Sequence, residues 1–411
     1  MNTFIAAASS AFLFVAAFAG SAGVRAALLI LATIGLAISW RSSIAPFVAR
    51  IPRDIAAAYA AWALLAVASL SWSVDRAYTL GELRAEILYP TLALALFFFA
   101  AQQTQRWRLW MGALLAGTAA VFVQHAAQDV LGWKLSPHPV FEQRGLWSTH
   151  LALIAPLVLA LGWRAPFGGA RGTWTAAAAL AWLLYAAWET ESRMIWVAFA
   201  VQFLLAASLM RAPVANGAAT ALRRVSIAAA LVATIALAAS IADRTALQLA
   251  AASASADSLE RDVRPRIWGV AWGKFTEAPW LGHGFGREIL AADFIPHTPR
   301  VLNHPQILHG HNVFVDMALQ LGVAGLAAFV ALLVLLAREY RGYLRRDDVA
   351  PLGVLGLMVL SGFVMKCLTD DFLHRHNALA FWALNAMLLG CARATLAREG
   401  EARPPAEAAL R

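Results

Sequence analysis

The segment NVFVDMALQLGVAGLAAFVALLVLLA, residues 312–337, is the longest continuous apolar stretch on which the fold prediction rests. It contains one charged residue, Asp316, and it exceeds the roughly 20 residues that a helix needs to cross a bilayer core. Its apolar residues are continuous and do not alternate with polar ones, which excludes the strand pattern of a membrane barrel. The segment therefore predicts a transmembrane helix.

Comparable apolar segments recur along the whole chain. Of its 411 residues, 61% are hydrophobic and 14% are charged, whereas a soluble domain carries about 25% charged residues. We therefore predict an all-α, polytopic integral membrane protein with about twelve transmembrane helices. The predicted spans are residues 4–20, 26–40, 55–72, 87–101, 110–130, 150–163, 174–188, 194–210, 225–242, 312–337, 349–368 and 378–392. A signal peptide is an alternative for the first of them.

The distribution of basic residues predicts the orientation of the chain. One set of short loops, together with the C-terminal tail, holds 18 of the 33 Lys and Arg residues. The positive-inside rule then places both termini in the cytoplasm and the long loop, residues 244–311, outside. The chain divides into spans one to nine (1–243), this loop, spans ten to twelve (312–395) and a cytoplasmic tail (396–411). Most of the basic residues lie in the predicted cytoplasmic loops and tail, where they follow from the orientation of the chain. The net charge of +9 therefore implies no nucleic-acid partner.

The long loop contains two recognisable pieces. Pro265 precedes RIWGVAWGKF, residues 266–275, whose apolar residues follow helical spacing and predict an amphipathic helix on the membrane surface. A glycine-rich turn follows at residues 280–286. It is either a plain tight turn or a nest of backbone N–H groups that binds an anion.

Ionisable residues cluster on the outer side. His297, His304, His309 and His311 lie in the loop, and Asp370, Asp371, His374 and His376 follow span eleven. Their spacing matches no specific zinc signature, so we predict no metal. His311 lies where span ten begins, and Arg193 lies where span eight begins, after a short outer turn. An ionisable residue at the membrane boundary is a functional candidate, although Arg193 can also extend to the interface or pair with Glu189 or Glu191.

These residues resemble the signature of the O-antigen ligase and polymerase superfamily. His311-Asn312, a nine-residue gap and then Gly322-Val323-Ala324-Gly325 match its sequence pattern. Ser192-Arg193, Arg266-Ile267-Trp268 and the proline–glycine turn at residues 279–286 follow the order of the family. The resemblance covers about residues 192–326. Within the superfamily, the size and the single long loop are similar to those of lipopolysaccharide O-antigen ligases.

The resemblance implies a membrane-embedded glycosyltransferase of the inner membrane of a Gram-negative bacterium, with its active site on the periplasmic face. It implies transfer of O-antigen polysaccharide from undecaprenyl diphosphate to an outer-core sugar of lipid A–core, with no cofactor and no metal. His311 suits the role of base because imidazole titrates near neutral pH. Arg193 and Arg266 suit the diphosphate because guanidinium groups bind phosphate oxygens in pairs. Direct displacement predicts inversion at the anomeric carbon.

Weaker candidates surround these three residues. Asp370 or Asp371 can orient His311 or contact acceptor sugar, His309 lies beside the base, Asn312 can cap span ten, and Arg264 can hold phosphates of the core. Each also has a plain structural interpretation. Two rival functions stay open: an O-antigen polymerase that uses the same donor, and a twelve-span transporter in which the loop is a lid.

Overall fold

The computed structural model describes residues 2–18, 20–103, 107–132, 144–163, 170–210, 217–254, 264–297, 308–369 and 371–402. These described residues form α-helices and no strands. The helices are α1 (Asn2–Val15), α2 (Ala22–Ile38), α3 (Trp40–Ser43), α4 (Arg53–Ala68), α5 (Arg76–Glu82), α6 (Tyr89–Gln103), α7 (Trp107–Leu131), α8 (Arg144–Trp163), α9 (Ala170–Glu189), α10 (Arg193–Leu209), α11 (Gly217–Ala254), α12 (Arg264–Glu277), α13 (Ala291–Phe294), α14 (Val313–Tyr343), α15 (Ala350–Cys367) and α16 (Arg375–Ala402). Short 3₁₀ segments are Ala45–Arg50, Ser69–Ser71 and Ile295–His297, and Leu83–Leu88 is a π-helix between α5 and α6.

Each of the twelve predicted spans coincides with a helix, so the all-α membrane fold is confirmed. Within the described residues, eight helices are long and apolar enough to cross a membrane. A ninth candidate is α2 together with the segment Trp40–Arg50, which is bent from it by 90°. The helices α1 and α10 are apolar but shorter. The number of true crossings, twelve, therefore stays a prediction.

The bundle is organised around α16, whose residues between Ala378 and Ala392 are almost all buried. It packs against α6, α15 and α8. Buried polar groups tie other helices to this centre. Nε2 of Gln202 in α10 donates to the carbonyl oxygens of Ala152 and Met358, both at 2.8 Å, and so joins α8, α10 and α15. Such bonds satisfy polar groups that lipid cannot solvate.

The tail that we expected from residue 396 begins within a helix, because α16 continues to Ala402. Residues 403–411 lie outside the described part of the chain.

The loop helix is confirmed as α12, which begins at Arg264 and ends at Glu277 before Pro279. Ile267 and Ala271 on its buried side pack with Ile289, Leu290, Phe294 and Leu319 into a small core separate from that of the bundle. Trp268 and Trp272 are 44% and 67% exposed on the other side, as expected for a helix at a membrane surface. We call the end of the bundle that carries α12 and residues 278–297 the loop face.

The glycine-rich turn is built into a break in α14. At Gly322 the backbone leaves helical geometry (φ 63°, ψ −163°), which frees N–H and C=O groups on both sides of the break. The N–H groups of His283 and Gly284 donate to the carbonyl oxygens of Leu319 and Gln320 (2.9 and 3.0 Å). In return, the carbonyl oxygens of Pro279 and Trp280 accept from the N–H groups of Val323 and Ala324 (2.8 and 3.3 Å).

This exchange contradicts the anion-nest interpretation of the turn. The next two N–H groups are also occupied: that of Phe285 donates to Oγ of Ser69, and that of Gly286 donates to Oε1 of Gln320, both at 3.0 Å. Consecutive N–H groups in the turn therefore bind the protein itself. The plain structural interpretation of the turn is the one that the geometry supports.

Replacing Gly322 with alanine is expected to destabilise the protein strongly. Its backbone conformation is essentially restricted to glycine and costs other residues about 1–3 kcal/mol. An added Cβ would also overlap the carbonyl group of Trp280. A lower melting temperature or a loss of folded protein in detergent checks this. Gly342→Ala in the same helix is the matched control, since its Cβ meets nothing within 4 Å. Equal stability of the two variants would contradict the account of the break.

Candidate active site

Arg193 lies at the loop face beside a buried lysine. It is half-buried and begins α10, directly after Ser192. Nζ of Lys366, near the end of α15, donates to Oγ of Ser192 at 2.9 Å and to Oγ of Ser148 at 2.7 Å. Lys366 is only 1% exposed, and its Nζ also lies 4.9 Å from the ring centre of Phe372. Two cationic residues, Arg193 and Lys366, thus lie close together where α8, α10 and α15 meet.

Asn312 brings His311 to the same place. Its Oδ1 accepts from the N–H groups of Phe314 and Val315 (2.9 and 3.3 Å), the capping interaction typical of Asn at a helix start. Its Nδ2 donates to the carbonyl oxygen of Leu368 at 3.0 Å, two residues beyond Lys366. The start of α14 is therefore fixed against the end of α15. The backbone of His311, with φ at 49°, is in the left-handed region that bulky residues rarely adopt.

The first turns of α12 lie against the same segment. Nε1 of Trp268 donates to the carbonyl oxygen of Gly310 at 3.0 Å. Arg266 and Arg264 are in the turn before Trp268, so the helix brings their backbone to the neighbourhood of His311. The side chains of Arg264 and Arg266 lie outside the described part of the structure. Hydrogen bonds of Lys366, Asn312 and Trp268 thus link the three segments that carry Arg193, Arg266 and His311 at the loop face.

His309 forms a buried pair with Asp316 behind His311. Nδ1 of His309 lies 3.0 Å from Oδ2 of Asp316, and the side chains are 8% and 1% exposed. The N–H group of Gly310 donates to Oδ1 of the same carboxylate at 2.6 Å. Asp316 is in the first turn of α14, where the helix dipole stabilises a negative charge.

The protonation of His309 follows from these contacts. Nδ1 also lies 3.2 Å from the N–H group of His311, and a ring nitrogen cannot donate to the carboxylate and accept this N–H at once. An unprotonated Nδ1 would direct its lone pair at an anionic oxygen. We therefore assign the proton to Nδ1, which leaves Nε2 as the basic nitrogen. The rings of His309 and His311 lie against each other, with centroids 4.4 Å apart and planes inclined by 31°.

The remaining candidates have structural contacts. Asp371 is 3% exposed, and its Oδ1 accepts from the N–H group of Leu373 at 3.0 Å. Its carbonyl oxygen accepts from Nη1 of Arg287 at 3.0 Å. Its role in orienting His311 or binding sugar stays a prediction. Asp370 lies outside the described residues.

A second charged cluster lies nearby. Arg375 donates from Nη2 to Oε1 of Glu82 (2.6 Å), and its backbone N–H donates to Oε1 of Glu86 (2.8 Å). His374 approaches the same oxygen of Glu86 through Nδ1 at 3.3 Å. Burial lowers the pKa of the His374 imidazole well below its usual value, and Arg287 and Arg375 lower it further, so His374 is neutral. A cavity of about 20 Å³ lies between this cluster, Asp371 and Gln320.

Glu82, Glu86 and His374 are the described residues whose ligand atoms lie close enough together to hold a metal ion. Arg375 already supplies a positive charge to both carboxylates at short range. The cluster therefore forms an ion-pair network that anchors the start of α16 to α5 and the π-helix, and Oε2 of each carboxylate is buried without a hydrogen-bond partner in the described structure.

Sequence reasoning missed several of these residues as candidates. Lys366, Asp316, Glu82 and Glu86 were overlooked, although each is an ionisable residue within or at the end of an apolar segment. That feature by itself marks a candidate functional or pairing residue. Their partners were not predictable, because Lys366 contacts residues 174 and 218 positions away.

Comparison with known proteins identifies the central part of the chain. Residues 176–330 match the family model described as O-antigen ligase. The matched range includes α10, α12 and the break in α14, and with them Arg193, Arg266, His309 and His311. A comparison with curated proteins found no match. The chain is thus a multi-pass membrane protein whose residues 176–330 match the O-antigen ligase family, members of which are glycosyltransferase-like enzymes.

Proposed function

We propose that this protein is an O-antigen ligase. In this proposal it transfers O-antigen polysaccharide from undecaprenyl diphosphate to an outer-core sugar of lipid A–core, at the periplasmic face of the inner membrane. The observation that carries the proposal is the convergence of the Arg193, Arg266 and His311 segments at the loop face. The distribution of basic residues supports a periplasmic loop face with both termini in the cytoplasm.

The proposed reaction is a direct substitution at the anomeric carbon of the donor. The acceptor hydroxyl oxygen forms a bond to this carbon, the bond from carbon to phosphate oxygen breaks, and the hydroxyl proton passes to the imidazole of His311. Undecaprenyl diphosphate leaves with the bonding electron pair. Attack from the face opposite the leaving group inverts the anomeric configuration. A product with retained configuration would contradict this mechanism.

The leaving diphosphate needs positive charge, which Arg193 and Arg266 supply in this proposal. Guanidinium groups donate in pairs to phosphate oxygens and stay charged at any relevant pH. Lys366, bonded to Ser192 beside Arg193, adds a third cation to this side of the site. With this charge present, no metal is required to stabilise the diphosphate.

The pair of His309 and Asp316 fits a positioning role. Asp316 fixes the tautomer and orientation of His309, and the His309 ring supports that of His311 at 4.4 Å. His311 is more exposed than His309, so it is the imidazole better placed to reach a substrate hydroxyl. Asp371, Asp370, Asn312 and Arg264 are supporting residues in the proposal.

The lipopolysaccharide ladder of a deletion strain tests the function. Loss of a ligase is expected to leave bare lipid A–core and full-length polysaccharide on undecaprenyl diphosphate, and expression of the wild-type chain is expected to restore the ladder. Core capped with single repeat units would instead identify a polymerase. A transporter would keep its activity after His311→Ala and would depend on a substrate gradient.

A further inference from the structure

A separate cavity of about 490 Å³ lies at the loop face, away from the His311 segment. It is lined by the start of α2, by α5 with the π-helix, and by the start of α16. Its lining residues are Ala22, Gly23, Arg25, Ala26, Leu29, Gly81, Glu82, Arg84, Ala85, Tyr89, Arg375, His376 and Leu379. The mechanism proposed above uses none of them.

The polar part of this cavity is strongly basic. It holds three arginines, Arg25, Arg84 and Arg375, against one carboxylate, Glu82. Arg375 is engaged by Glu82 and Glu86. Arg84 is exposed and makes no ion pair or hydrogen bond within the described structure. One guanidinium that faces the cavity is therefore available to an anion.

Arg25 adds a buried positive charge. It is 7% exposed, and its Nη1 donates to the carbonyl oxygens of Ala16 and Phe18 (3.3 and 3.1 Å) and to Oγ of Ser21 (3.1 Å). These contacts cap the end of α1, but carbonyl dipoles do not neutralise a formal charge. Its Nε is buried and has no hydrogen-bond partner in the described structure. Because Arg25 lines the cavity, its positive charge favours an anionic group such as a phosphate there.

The other walls of the cavity are apolar. Ala22, Ala26, Leu29, Ala85 and Leu379 line them, and their sequence neighbours Val24 and Leu88 are exposed apolar side chains (55% and 50%) on membrane helices. A free inorganic anion would leave this apolar surface without a partner. A ligand with a phosphate at one end and a hydrocarbon chain beside it matches both the arginines and the apolar walls of the cavity.

We propose that this cavity binds the phosphate-bearing glycolipid anchor of the acceptor. The inference rests on the proposed function, which requires such a lipid to be held beside the site. Arg375 and Glu82 line the cavity and also belong to the cluster with Glu86 and His374. The cavity is therefore joined by direct contacts to residues 371–374, which follow α15. A lipid anchor held there lies next to the region where the proposed chemistry occurs.

Direct lipid binding tests the proposal. Native mass spectrometry of the purified protein in detergent, with bisphosphorylated lipid A as the probe, is expected to show binding that dephosphorylation weakens about tenfold or more. Arg84→Ala is expected to reduce this preference strongly and to leave the part that is due to Arg25, and Arg84→Lys is expected to keep more of it. Arg76→Ala is the matched control, because Arg76 lies on α5 at the same face, does not line the cavity and, among the described residues, donates to the Ser71 carbonyl alone.

Three results would overturn the proposal. The first is an unchanged preference for phosphorylated lipid A in Arg84→Ala. The second is complete displacement of the lipid by millimolar inorganic phosphate, which would make the cavity a phosphate site. The third is equal binding of phosphatidylglycerol, which would make it a site for any anionic lipid.

The kinetics of glycan transfer distinguish a failure of the lipid-site proposal from a failure of the proposed function. In a reconstituted transfer reaction, Arg84→Ala is expected to raise KM for the acceptor about tenfold while kcat and the KM for the donor stay unchanged. Normal transfer with an unchanged acceptor KM would refute the lipid site and leave the function intact. If the wild-type protein bound lipid A in a phosphate-dependent way but transferred no glycan, the lipid site would be supported and the proposed ligase function would be refuted.

Discussion

Replacing His311 with alanine is expected to lower kcat/KM for glycan transfer by about 10²-fold or more, the usual loss when a general base is removed. The imidazole is needed only when the acceptor hydroxyl loses its proton, so donor binding is expected to persist. The measurement is transfer by purified protein in liposomes, with lipid-linked donor and lipid A–core. Added imidazole is expected to restore part of the activity, because the variant leaves space where the ring was. Wild-type activity of a correctly inserted His311→Ala protein would refute the assignment.

Substitutions of His309 and Asp316 test whether this buried pair positions His311. If His309 and Asp316 position His311, then Asp316→Asn is expected to reduce kcat about tenfold, less than His311→Ala, with little change in KM. Asn keeps the size of the side chain but removes the charge that fixes the His309 tautomer. An inactive His309→Ala protein beside an active His311→Ala protein would transfer the role of base to Nε2 of His309.

Replacing Arg193 with alanine is expected to reduce kcat by about 10²–10³-fold, because a preorganised charge facing the leaving group is lost. Arg193→Lys is expected to recover only part of the activity, since lysine offers a single charge in place of a planar pair of donors. Arg266→Ala and Arg266→Lys are expected to behave in the same way. The transfer assay in liposomes measures all four variants.

The matched control for the arginine variants is Arg341→Ala. Arg341 is an exposed arginine near the far end of α14, and its removal subtracts the same charge from the chain. Its activity is expected to equal that of the wild type. If Arg193→Ala lost folded protein but kept kcat, Arg193 would be a structural residue of the α10 start, and the diphosphate role would be wrong.

The helices were predictable because their determinants are local. Apolar runs of sufficient length predicted all twelve bundle helices, and apolar spacing after Pro265 predicted α12. The cap by Asn312 also depends only on the next three residues. Lipid imposes this regularity, since backbone groups in a bilayer must bond within their own segment.

The details of the site were not predictable because they depend on distant contacts. The sequence shows a glycine-rich turn and a Gly-x-x-Gly motif. It does not show that the turn forms backbone hydrogen bonds with the break in α14 at Gly322. Gly282 illustrates the reason: a Cβ there would overlap the backbone of Gln320. The partners of Lys366, which come from α8 and from the residue before α10, are fixed only when the bundle packs. The pairing of Arg375 with Glu82 and Glu86 has the same origin.

In the proposed mechanism, His311 and two arginines transfer a lipid-linked glycan without a metal. The most direct measurement is reconstitution of the purified protein with undecaprenyl-diphosphate-linked O-antigen and lipid A–core in the presence of a chelator. The account predicts polysaccharide-bearing lipid A–core with inverted anomeric configuration, and none from His311→Ala. Elongated polysaccharide still on undecaprenyl diphosphate, a retained configuration, or transfer that stops on chelation would contradict it.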